Sequence, residues 1–155
     1  MHPSPRPRPT IRILAAAFLL LVLSYSCSHK NAAPANTGQT GGMVSYTGTF
    51  INHGSPDTST ATGLVTATFD PTTLTLTYSI SWSSLTSLPI MMHFHDNGPV
   101  IVTITGWPVA QTGTVSGTCK FTSAQATDLV NGGIYAMIHT VNYSAGEIYA
   151  PLVKN

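Results

Sequence analysis

With 155 residues, 43% of them apolar and 7% charged, the chain has enough sequence for one packed core and too little for two ordinary domains beside a leader. Arg6, Arg8 and Arg12 precede the first apolar run, which leaves Lys30, Lys120 and Lys154 against Asp57, Asp70, Asp96, Asp128 and Glu147. A slightly acidic remainder without a basic stripe excludes nucleic acid as a partner, because that binding rests on clustered Lys and Arg neutralising phosphates.

Residues 1–26 pass from the cationic "MHPSPRPRPTIR" through the apolar "ILAAAFLLLVL" to the small residues of "SYS", the layout of an export signal peptide. The apolar stretch from Ile13 to Leu23 falls short of the about 18–20 residues a spanning helix needs, so a permanent transmembrane segment is not expected. The surroundings of Cys27 resemble a bacterial lipobox, in which the cysteine is diacylated and becomes the new N-terminus; Ser24, where that pattern prefers Leu, and the bulky Tyr25 depart from it. Lipidation at Cys27 makes the membrane a partner through acyl chains and leaves Cys119 a lone thiol. Cleavage by an ordinary signal peptidase at the same bond would yield a secreted or periplasmic protein in which the two cysteines are free to pair. Residues 28–42, "SHKNAAPANTGQTGG", have no hydrophobic period and read as a flexible tether, with a root-mean-square reach of about 20 Å. The folded domain is expected over residues 43–155.

Strand patterns follow in chain order. Val44 to Ile51 and Thr62 to Phe69 come first, then "TLTLTYSISW" (73–82), where Leu74, Leu76, Tyr78, Ile80 and Trp82 alternate with Thr and Ser. One face of that strand is dry and the other wet. Further runs at Ile90 to His95, Val100 to Thr105, Thr114 to Phe121, Ile134 to Thr140 and Glu147 to Val153 are divided by "NHGSPD", "DPTT", "DNGP" and "GWP", all of them turn chemistry. Between the last runs, Thr122 followed by Gln125 fits a capping box, Ala124, Ala126 and Leu129 form a short apolar face, and Gly132 or Gly133 ends it; a short helix is predicted near 123–131. Many short strands with one helix indicate an all-β fold, an antiparallel Greek-key-like sandwich or barrel.

"HFH" at 93–95, the Thr-x-x-Gln helix followed by "GGIYAMIHT", and "GEIYAPL" at 146–152 together resemble the CHRD family, the chordin-type domain also found in bacterial secreted proteins. The resemblance covers Met43 to Leu152 and is carried mainly by its second half. Asp96 stands where the family often has Gly, and Tyr149, Ala150 and Pro151 replace its usual Arg, Gly and polar residue. It implies an extracytoplasmic β-domain and supplies no enzymatic reaction.

On a strand over 90–95, His93 and His95 share a face with Met91, while Met92 and Phe94 take the other. His139 shares its face with Tyr135 and Met137. If Thr140 pairs with Gly146, His139 stands opposite Glu147, whose carboxylate would accept the imidazole N–H and set its tautomer. One reading is a copper or zinc site of His93, His95 and His139, oriented by Glu147. The other holds the histidines as buried, hydrogen-bonded parts of the scaffold. "HFHDNG" is also similar to the copper-binding stretch of copper-zinc superoxide dismutases, but no histidine lies between His95 and His139 to supply that family's bridging and zinc ligands, which excludes a dismutase. His53 reads as a solvated loop residue, and as a fourth ligand only if its loop folds over the same face.

No nucleophile elbow, phosphate loop, Cys-x-x-Cys pair or paired carboxylates occur. Trp82 is expected in the core, Trp107 at the surface and Cys119 as a buried thiol. The expected function is that of a non-enzymatic binding or structural module anchored at the cell envelope, with an extracytoplasmic copper- or zinc-binding protein as the alternative.

Overall fold

A computed structural model describes residues 41–53 and 58–155. The expected signal peptide at 1–26, Cys27, most of the expected tether and Asp57 lie outside these described residues. Their strands are β1 (Val44–Thr49), β2 (Ile51–Asn52), β3 (Thr62–Asp70), β4 (Thr75–Ser83), β5 (Pro89–Asp96), β6 (Val100–Thr103), β7 (Gly113–Lys120), β8 (Ile134–Thr140), β9 (Ile148–Pro151) and β10 (Val153–Lys154). The helix α1 (Ser123–Val130) stands between β7 and β8. None of their helices is long and apolar enough to cross a membrane.

The strands form two antiparallel five-stranded sheets, ordered β10, β1, β3, β4, β7 and β2, β9, β8, β5, β6, an all-β sandwich. Two of the predicted strands are split between the sheets. The run from Val44 to Ile51 breaks at Phe50, so that β1 pairs β3 in the first sheet while β2 pairs β9 in the second. The closing run breaks at Leu152 in the same way. Phe50 and Leu152 are both buried, so each bend is anchored by an apolar side chain where a strand leaves one layer for the other. The strand predicted from Thr73 starts at Thr75, because Leu74 adopts a positive φ of 55° at the turn.

Alternation explains which side of each strand is dry. Val65, Leu76, Ile80 and Trp82 from the first sheet meet Met92, Phe94, Ile138 and Ile148 from the second. Tyr78 and Phe94 touch edge to face across the layers, centroids 5.0 Å apart, a favoured aromatic geometry. The indole N–H of Trp82, in the core as expected, donates to Ala110 O at 3.0 Å. Trp107 differs from expectation. Rather than a surface platform it is half-buried against the core, with its N–H donated to Ile104 O at 3.0 Å, because a bend just after β6 leaves a backbone carbonyl within the indole's reach. Cys119 is a free, half-buried thiol whose pKa burial raises to about 11, so its nucleophilic thiolate is scarce at neutral pH.

The helix has the predicted capping box: Thr122 Oγ1 accepts from Gln125 N at 3.2 Å and Gln125 Oε1 from Thr122 N at 2.8 Å. Leu129 is its fully buried side chain and Ala126 packs beside it, while Ala124 is exposed.

The outward faces of the two sheets differ. On the first, successive strands present hydroxyls, as in the rung Thr66, Ser79, Ser116, ordinary wet-face chemistry. On the second, β5, β8 and β9 present His93, His95, Tyr135, Met137, His139 and Tyr149. Four of these are closed off from solvent although they point away from the core: His93 is 8%, His95 7%, His139 7% and Met137 3% exposed.

Candidate metal centre

The centre is built on the pairing of β5 with β8, in which Met91 faces His139, His93 faces Met137 and His95 faces Tyr135. Directly opposed residues project to one side with Cβ atoms about 5 Å apart, so three rungs gather three imidazoles, two thioethers and a phenol on one patch. The candidate ligand nitrogens of His93, His95 and His139 lie within 4.8 Å of one another. His93 Nδ1 and His139 Nε2 are 3.3 Å apart. Two nitrogens on one tetrahedral ion, each bonded at about 2.0–2.1 Å, stand about 3.3 Å apart. That pair already has the needed spacing, and an ion would draw the widest pair inward by up to about 1.5 Å.

Two turns set the tautomers. At the β5–β6 hairpin, Asn97 (φ 48°) and Gly98 (φ 123°) both take positive φ, the geometry of the primed hairpin turns that Asn-Gly favours. The turn returns Gly98 O to within 2.8 Å of His95 Nδ1. The loop after β8 likewise brings Ser144 O to 3.0 Å from His139 Nδ1. A carbonyl can only accept, so both Nδ1 atoms carry the proton and both Nε2 atoms keep the lone pair. His139 Nε2 accepts from His93 Nδ1 in this state. His95 Nε2 is buried and has no hydrogen-bond partner. The His95 ring is held flat on Tyr135, centroids 4.9 Å apart and planes 4° from parallel, so that lone pair has a fixed direction.

Burial, reinforced by the charges that His139 and His95 would carry, holds the His93 pKa below the usual histidine value. Burial does the same at His139, opposed by the bond to Ser144 and aided by His95 and His53. Neutral imidazole is the ligating form, so these shifts favour metal over proton at neutral pH.

Glu147 is a correction to the expected arrangement. Its backbone N–H donates to Ile138 O at 2.8 Å instead of continuing the β8–β9 ladder, whose last rung is Ile138 with Ile148. A shift of one residue turns a side chain to the other face. The carboxylate accordingly leaves His139 and accepts from Ser59 Oγ (2.7 Å), Thr86 N (2.8 Å), Thr86 Oγ1 (3.1 Å) and Thr140 Oγ1 (2.6 Å). His139 is oriented by the Ser144 carbonyl instead, a backbone partner that no side-chain pattern signals.

His53 reaches the same region of the sheet. Its N–H donates to Glu147 O at 3.0 Å and its ring meets Tyr149 edge to face, centroids 5.5 Å apart. It remains exposed and outside the cluster of three.

The family model for the CHRD domain matches residues 26–149, starting ahead of Met43 and stopping at Tyr149, inside the Gly146 to Leu152 ending that carries part of the resemblance. No curated protein and no solved structure matches the chain. With most of its length under one family model, of a kind that suggests a binding or structural module, the chain belongs to the CHRD domain family.

Proposed function

We propose that this CHRD domain is a non-enzymatic metal-binding module of the cell envelope, exported and held by acyl chains on Cys27, and that its ligand is a copper or zinc ion bound by His93, His95 and His139. The observation that carries the reading is the unpartnered, buried Nε2 of His95. Leaving such an atom unsatisfied costs about 1–3 kcal/mol, and a metal ion bound there would remove that cost. Binding would also move the His93 proton from Nδ1 to Nε2, which frees Nδ1 as a ligand without changing the charge of the ring.

A purely structural role for the histidines is favoured by the contact of His93 with His139, by the bonds of His95 Nδ1 to Gly98 O and His139 Nδ1 to Ser144 O, and by the stacking of His95 on Tyr135. It leaves the buried Nε2 of His95 unexplained.

Metal content and titration with copper or zinc, on the wild-type chain beside His95→Ala, test the proposal. The expected result is one ion per chain, with affinity lowered at least about tenfold in the variant and the fold retained. Absence of binding by the wild type, together with a His95→Ala chain as stable as the wild type or less so, would move the histidines to the scaffold.

A further inference from the structure

The rungs that assemble the triad also carry Met91 and Met137. Met137 is 3% exposed, although it lies on the face turned away from the core. Its sulfur has a defined neighbour. A Cβ built on Gly146 would stand 2.6 Å from Met137 Sδ and 3.0 Å from His53 Nδ1, so both atoms border the space that this glycine leaves open. Gly146 has a φ of 121°, a conformation that L side chains rarely adopt, so glycine serves both the turn and the opening.

Among the described residues, the donors of this face hold no carboxylate free to ligate. The Glu147 carboxylate is taken up by hydroxyls and a backbone N–H elsewhere, and Asp96 accepts from Asn97 Nδ2 at 2.9 Å. What remains are imidazoles, thioethers and the phenols of Tyr135 and Tyr149. Hard cations need oxygen anions, whereas thioether sulfur selects copper(I). Exposure separates the donors as well: His53 and Met91 are open to solvent, whereas Met137 (3%) and the triad (7–8%) are closed off.

Resting on the metal-binding reading above, we propose that the ion is copper(I) and that Met137 Sδ with His53 Nδ1 forms an outer subsite, which takes the ion from the solvent side and passes it to His93, His95 and His139. The transfer exchanges neutral ligands at constant oxidation state. It therefore needs no oxidant, reductant or co-reactant. Met91, 41% exposed and directly opposite His139, places a second thioether at the rim.

The test is anaerobic titration of the chain with copper(I) against a chromogenic chelator, with zinc(II) titrated in parallel, on the wild type, Met137→Leu and His53→Ala. Leu keeps the volume of Met and removes only the sulfur. His53 is exposed, so its truncation leaves the core intact. In Met137→Leu, copper(I) loading is expected to slow several-fold, to the same stoichiometry, with zinc(II) loading unchanged. His53→Ala is expected to load copper(I) several-fold more slowly, to the same stoichiometry. Zinc(II) bound at the triad, with copper(I) loading indifferent to Met137, would overturn this proposal and leave the metal-binding reading standing. Failure of the wild type to bind either ion would overturn both.

Discussion

A buried nitrogen without a partner and a partly exposed carboxylate held by hydroxyl and amide donors are two points at which this protein departs from ordinary side-chain chemistry. The first is His95, whose Nδ1 is committed to Gly98 O and whose Nε2 is aimed at its neighbours by stacking on Tyr135. The second is Asp70, at the end of β3. Its Oδ1 accepts from Thr72 Oγ1 (2.6 Å) and Thr72 N (2.8 Å), and its Oδ2 from Thr73 Oγ1 (2.9 Å). These bonds, the Thr72 hydroxyl foremost, stabilise the ionised form and lower the pKa from 3.8 to about 2. A carboxyl that ionises more readily in the folded chain binds fewer protons there than in the unfolded chain, so its contribution to stability is complete above about pH 4 and is lost as the pH falls toward 2. The expected outcome is an Asp70 titration midpoint near 2 by NMR. In Asp70→Asn the fall in stability over that interval should be shallower than in the wild type.

At the scale of elements, the β8–β9 connection decides two matters at once. Its loop delivers Ser144 O to His139, and the ladder's end at Ile148 turns Glu147 away from the metal face. There Glu147, 1% exposed, joins the end of β8 to Ser59 ahead of β3 and to Thr86 between β4 and β5. No cation neutralises it among the described contacts; four donors do. Removing the carboxylate strands those donors in a dry region, where each buried unsatisfied group costs about 1–3 kcal/mol. Glu147→Ala is therefore expected to lose about 3 kcal/mol or more, measured by urea unfolding, and Glu147→Gln distinctly less because its amide oxygen still accepts. The strand patterns themselves were legible, since alternation in 73–82 and the capping box at Thr122 are local signals. The breaks at Phe50 and Leu152 were not, because a run of apolar and β-branched residues carries no mark of where it changes partner sheet.

For the whole molecule, the proposed anchor defines where the domain would meet its ion. Acylation at Cys27 is expected to send the wild-type chain to the membrane fraction. Cys27→Ala should appear in the soluble extracytoplasmic fraction, and an unchanged distribution would count against lipid anchoring. The architecture of the domain was written in periodicity, turn residues and one capping box, which act over a few residues and need no tertiary context. The shared face of His93 and His95 was equally readable, because alternate positions on a strand must agree. Only the tertiary structure decided that His93, His95, Met137 and His139 on the outward face of the second sheet are closed off, that Ser144 rather than Glu147 orients His139, and that His53 Nδ1 and Met137 Sδ both border the space beside Gly146. Each of these depends on backbone carbonyls and on a one-residue departure from a ladder. Such features arise from how distant segments pack, so no local pattern of side chains records them.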